Sequence, residues 1–186
     1  ARAADYNIIH LAMHGILDYK QPVLSSLAFA NSNDSLENNF LQAYEISKMQ
    51  LNAELVVLSA CETGFGKFQE GNGIASIAQA FMYAGVPSLV VSLWQVNDVA
   101  TEIIMDEFYK ELLTGNSKDM ALQKAKINFL SYTEAEGIPP AFWSPFILLG
   151  DASPIIQTDY RPYIGGAIGL LVLCLLGGFF YKRRQR

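Results

Sequence analysis

Two cysteines in 186 residues, Cys61 and Cys174, are too few for a disulfide framework, and their separation fits no metal-ligand spacing. Histidine is equally scarce, with His10 and His14 alone. A four-residue interval between histidines suits zinc on a helix, but the run around these two is strand-like and no third ligand follows, so no metal is expected. Basic charge is short as well. Of 13 lysines and arginines, four (Lys182, Arg183, Arg184 and Arg186) crowd the last five positions, which leaves nine against 18 acidic residues elsewhere. An acidic body argues against nucleic acid as a partner. The glycine-rich stretch 64–73 lacks the Lys-Ser/Thr pair of a phosphate-binding loop and the ordered glycines of a dinucleotide fingerprint. It reads as a flexible loop, and no cofactor is expected. A serine-hydrolase elbow is missing too, because the residue at the strand-to-turn junction is Cys61, flanked by Ala60 and Glu62 rather than by glycines. The chain also has no initiator methionine and opens Ala-Arg-Ala-Ala almost directly onto an apolar run, so the expectation is a C-terminal piece of a longer protein.

What is there alternates between two kinds of segment. Residues 6–14, 55–60, 88–94 and 146–149 are apolar and rich in β-branched residues, the pattern of buried strands. Between them fall helical patterns at about 41–48, 74–84, 97–113 and 117–130. Ile74, Ile77, Ala78, Phe81 and Met82 recur at helical spacing on one face, with Asn72 as a cap before them and Gly85 and Pro87 as the stop. Asn97 or Asp98 caps the next helix, and Met105, Phe108, Tyr109 and Leu112 line its inner face. Residues 15–27 read as a loop, with Pro22 and two serines. Strands alternating with helices predict an α/β domain with a mostly parallel sheet and sites beyond the carboxyl ends of its strands.

Two such ends carry chemistry. The strand over 6–14 ends at His14-Gly15, and the strand over 55–60 ends at Cys61. On neighbouring parallel strands these positions bring imidazole and thiol together. A thiol of pKa near 8.5 is only a few per cent thiolate at neutral pH, so a nucleophilic cysteine needs such a base beside it. The backbone N–H groups of Gly15 and Cys61 are candidate donors to an oxyanion. Against this stands the plain alternative that Cys61 is a small buried residue at a strand end. His10 reads as a satisfied structural histidine.

The tail is a different object. Residues 162–181 carry no charge over 20 positions, enough at about 1.5 Å per residue to cross a hydrocarbon core of roughly 30 Å. Tyr163 and Tyr181 stand where interfacial aromatics belong, and five glycines in the run suit a membrane helix better than a soluble one. The expectation is a linker over 153–162, a transmembrane helix over 163–181 and a basic tail over 182–186.

Several motifs in order resemble the CHAT domain, a caspase-like module often joined to tetratricopeptide repeats. They are His10-Leu-Ala-Met-His14-Gly15, Leu58-Ser-Ala-Cys61-Glu-Thr-Gly64, Glu70-Gly71-Asn-Gly73, Ala80-Phe81-Met-Tyr-Ala-Gly85, Ser92-Leu93-Trp94-Gln-Val-Asn-Asp98, Phe142-Trp143-Ser-Pro-Phe146 and Leu149-Gly150-Asp151. Ser144 and Pro145 stand where small apolar residues are more usual. The resemblance implies a caspase-like layered sandwich over residues 1–152, helices on both faces of the sheet, with the family's first strands preceding residue 1. It implies a cysteine endopeptidase with His14 and Cys61 as its dyad, a protein substrate, and tetratricopeptide repeats upstream in the same protein. Related peptidases read the residue before the scissile bond with the segment after the strand that follows the cysteine, which here is 94–98. Asp98, with Trp94 as a wall, is then expected to favour Arg or Lys in the substrate. A non-catalytic scaffold of the same fold is the rival expectation. The basic tail puts the body of a single-pass membrane protein outside the cytoplasm by the positive-inside rule. A tail-anchored arrangement would put it inside, and a C-terminal sorting signal that is later cut is a third possibility.

Overall fold

The computed structural model of the protein describes residues 3–18, 20–30, 39–59, 76–94, 96–132 and 138–156. The chain divides into two compact units, Ala1–Ile156 and Gln157–Arg186, and every described residue belongs to the first. Ala60, Cys61, the glycine-rich stretch with Asn72 and Ile74, Gln95, and the apolar tail with its basic end therefore lie outside the described residues. Among the described residues no helix is long and apolar enough to cross a membrane.

The principal sheet has four strands in the order β1-β5-β6-β7. They are β1 (Ile8–Leu11), β5 (Leu55–Leu58), β6 (Ser88–Ser92) and β7 (Phe146–Gly150). The first three run parallel, and β7 closes the sheet antiparallel to β6. Leu55-Val56-Val57-Leu58 and Ser88-Leu89-Val90-Val91-Ser92 are buried along their whole length, because both faces of the sheet are covered. Their side chains alternate between two cores. Val56, Leu58, Leu89 and Val91 join Ile46 of α1 (Ala43–Ile46) and Ile77 and Phe81 of α2 (Ser76–Tyr83). Leu55, Val57 and Val90 face the other way, onto Ile104 and Phe108 of α3 (Asp98–Leu113) and Ala125 and Phe129 of α4 (Lys118–Tyr132). Mixed α/β layering with helices on both faces of a parallel-rich sheet is the expected architecture, and a caspase-like fold is built this way.

Local chemistry sets the element ends. Asn97 caps α3, accepting a 3.0 Å hydrogen bond from the Ala100 N–H. Gly85 ends α2 at φ +102°, a left-handed conformation that glycine adopts without strain. Gly150 at φ +87° lies so close to Pro87 that a Cβ there would collide with the Pro87 carbonyl oxygen.

Four expectations need correction. The strand expected over 6–14 is two strands: β1 stops at Leu11, and His14 begins β2 (His14–Ile16), which belongs to a second sheet. That sheet is a small antiparallel one, with β2 paired to β3 (Ser26–Ala28) and β3 to β4 (Phe40–Gln42). Residues 15–27 are accordingly not a plain loop, holding the rest of β2, a 3-10 turn at Pro22–Leu24 and the start of β3. The helix expected over 41–48 is a single turn, because Leu41 is spent on β4 and Gln42 closes a reciprocal cap with Glu45. Met82 is exposed, so of the stripe expected on α2 only Ile77, Ala78 and Phe81 are buried among the described residues, and Ala80 joins them in the core.

Candidate active site

The site is set by the register of β1 against β5. Leu11 pairs with Leu58 at the carboxyl end of both strands, and the Ser59 N–H extends the pairing by donating to the Leu11 carbonyl at 3.2 Å. Two parallel chains thus leave the sheet side by side at one level. His14 stands three residues past Leu11, and Cys61 three residues past Leu58, outside the described residues. The break at Ala12 and Met13 turns the first chain into the small sheet, where His14 pairs with Ala28 and Gly15 with Leu27. His14 is exposed there.

His14 lines a cleft of about 620 Å³. One wall comes from β1, β2 and the chain after β3; the opposite wall is the first two turns of α3. Asp98 and Glu102, one helical turn apart, both line it, and no lysine or arginine does among the described residues. Because Asn97 takes the capping duty, Asp98 is left to face the cleft. Glu102 is a second carboxylate of the same wall. Trp94 is not among the lining residues; its indole N–H donates to the Ala141 carbonyl at 3.0 Å. The structure therefore brings His14 and Asp98 to one cleft and ties Trp94 elsewhere.

His10 sits at the floor of this cleft with both ring nitrogens engaged. Nδ1 is 2.9 Å from the Tyr109 hydroxyl of α3, and Nε2 is 2.8 Å from the Ser59 hydroxyl just past β5. The two rings are tilted at 46° with centroids 5.8 Å apart. His10 is exposed to the cleft, and partial desolvation of its ring disfavours the cation and lowers its pKa. Burial likewise pushes the Tyr109 phenol up to about 12. His10 is the satisfied histidine that the sequence suggested. Its partners were missed, since nothing along the chain links residue 109 to residue 10. Helical spacing did put Tyr109 on the inner face of α3, which was the signal available.

Comparison with known proteins identifies the family. A family model described as CHAT domain matches residues 1–151. Two curated relatives, tetratricopeptide repeat protein 28 of Homo sapiens and of Mus musculus, are 30% and 29% identical over 115 residues. Each match covers 62% of this chain but only 4% and 5% of the relative, so the chain spans a small fraction of the proteins it matches. From residue 1 to residue 151, this chain belongs to the CHAT domain family.

Proposed function

We infer that the domain is a cysteine endopeptidase of caspase-like fold, with Cys61 as nucleophile and His14 as its base. The observation that carries this reading is the in-register pairing of β1 and β5, with His14 and Cys61 equally far past Leu11 and Leu58. His14 takes the thiol proton as sulfur attacks the scissile carbonyl carbon, and returns it to the amine as the C–N bond breaks. Water then attacks the thioester, again with His14 as base, and releases the acid product. The N–H groups of Gly15 and Cys61 are the proposed oxyanion donors. In this reading Cys61→Ala and His14→Ala each abolish turnover while the fold survives. A thiol-reactive peptide probe labels Cys61 in the wild type and loses that labelling in His14→Ala. Full turnover by either purified variant would sink the assignment.

The acidic wall supports a preference for a cationic side chain. Asp98, with Glu102 one turn on, offers two carboxylates and no competing cation among the described lining residues. In a peptide library Asp98→Asn should lower kcat/KM after Arg or Lys at least tenfold, and Glu102→Gln by less. Equal cleavage by Asp98→Asn would remove this specificity; the earlier role for Trp94 has no support from the lining of the cleft.

A second reading, a protein-binding scaffold, is favoured by the relatives being tetratricopeptide repeat proteins. Upstream repeats in the same protein would select the partner or substrate in either reading. The apolar run 163–181 with its basic flank supports a membrane anchor, the domain lying outside the cytoplasm or, if tail-anchored, within it. Protease accessibility of the domain in intact cells separates the two.

A further inference from the structure

The dyad reading uses His14 and leaves His10 without a task, although His10 lies in the same cleft and joins three separate elements. We propose that Tyr109, His10 and Ser59 form a directional hydrogen-bond chain that fixes the exit of β5 and leaves the Ser59 hydroxyl proton to be donated into the cleft, to an acceptor oxygen of a bound peptide. The peptide part rests on the peptidase reading; the direction of the chain does not.

A neutral imidazole has one N–H and one lone pair, so only two polarities are open to a ring held between two hydroxyls. A phenol is a far stronger acid than an aliphatic alcohol and the better donor. Tyr109 O–H therefore donates to Nδ1, and Nε2–H donates to Ser59 Oγ, at 2.9 and 2.8 Å. Desolvation opposes charge on each ring, which favours Tyr109 as the phenol and His10 as the free base, the states this chain requires. The charged groups nearby are the carboxylates of Asp98 and Glu102 on α3, and His14 faces the cleft from β2. Those carboxylates would favour an imidazolium, but desolvation prevails and the direction for His10 is downward.

The consequence falls on Ser59. It accepts from His10, its backbone N–H is bound to Leu11, and its hydroxyl has no other partner among the described residues. Among the described residues nothing accepts its own proton, which leaves that proton to a ligand in the cleft it lines. A second hydroxyl of the same cleft is in a similar condition: Thr101 Oγ1 is buried with no hydrogen-bond partner among the described residues. A buried hydroxyl left unmet is costly, so Thr101, beside the part-exposed Ser59 hydroxyl, points to a polar ligand in the cleft. Tyr109 and His10 are in this scheme positioning residues, acting through Ser59.

The test uses the full chain with Cys174→Ser, so that Cys61 is the only thiol. Nitrogen-15 spectra of labelled histidine should show His10 neutral with the proton on Nε2 at pH 7, and Tyr109→Phe should mix the two tautomers. Inactivation by a peptidyl acyloxymethyl ketone ending in arginine, which exchanges its carboxylate for a thioether bond to Cys61, gives KI and kinact separately. Ser59→Ala should raise KI about tenfold and affect kinact less, Tyr109→Phe should raise KI about threefold, and Ser59→Thr should restore it. A proton on Nδ1, an imidazolium at pH 7, or an unchanged KI in Ser59→Ala overturns the inference while the dyad stands. If wild-type Cys61 is not labelled at all, the peptidase reading falls, and the tautomer alone decides whether the chain runs in the stated direction.

Discussion

At the scale of single residues, His10 shows how a polar group is made tolerable at the edge of a core. Both nitrogens are satisfied, so the ring costs little while neutral and more when charged. The pKa is lowered in the folded protein, so between the folded value and the unfolded value near 6.5 the unfolded chain binds the additional proton. Stability contributed by the neutral ring is therefore complete above pH 6.5 and is lost as pH falls from there toward the folded pKa. Urea unfolding of wild type and His10→Asn at pH 7.5, 6.5 and 5.5 should show the wild type losing ground to the variant on the acid side; parallel curves would contradict it. His10 was legible as a structural histidine because an apolar strand surrounds it. Its connection to Tyr109 was not, since a contact between residues 99 positions apart leaves no trace in local pattern.

Among elements, α3 is the one on which the cleft most depends, carrying Asp98, Glu102 and Tyr109. Its start was legible in the sequence to within one residue, and the choice between Asn97 and Asp98 matters functionally: the cap is Asn97, so Asp98 remains available. Asn97→Ala should cost about 1 kcal/mol, the usual value of a helix N-cap, and Asn97→Asp almost nothing. Thermal melts check this, and an undiminished Tm in Asn97→Ala would show that the cap is dispensable. The break between β1 and β2 was hidden for a physical reason. Leu11-Ala12-Met13 stays apolar with no glycine or proline to mark a turn, so periodicity carries a strand straight through. The small sheet was hidden by the length of its strands, three residues each, too short for an alternation to register.

For the molecule as a whole, stability comes from two cores on opposite faces of one sheet, with few charged groups inside. Among the described residues Glu107 and Lys118 are buried charged side chains, and Lys118 is the more deeply buried. It is only 2% exposed, and its Nζ reaches the Asp151 carboxylate at 3.3 Å and the Asp151 carbonyl at 3.4 Å. This joins the start of α4 to the end of β7, where the family motif Leu149-Gly150-Asp151 falls. Removing the carboxylate leaves a buried cation with poorer compensation, whereas replacing the lysine by a similar apolar side chain removes the need for one. Asp151→Ala should therefore lower Tm more than Lys118→Met does; the reverse order would mean that the pair contributes net stability as an ion pair. The parallel-rich sheet and its covering helices were legible from segment order alone. The antiparallel direction of β7 was not, because an apolar strand reads the same whichever way it runs.

In the proposed dyad, the equal three-residue steps from Leu11 to His14 and from Leu58 to Cys61 would make chain length itself a working part of the molecule. One additional residue between Leu11 and His14 moves every later atom about 3.3 Å along an extended backbone, and that displacement exceeds what a proton transfer tolerates. If the peptidase reading holds, an indel in either step would disarm the domain while leaving His14, Cys61 and each buried strand in the sequence.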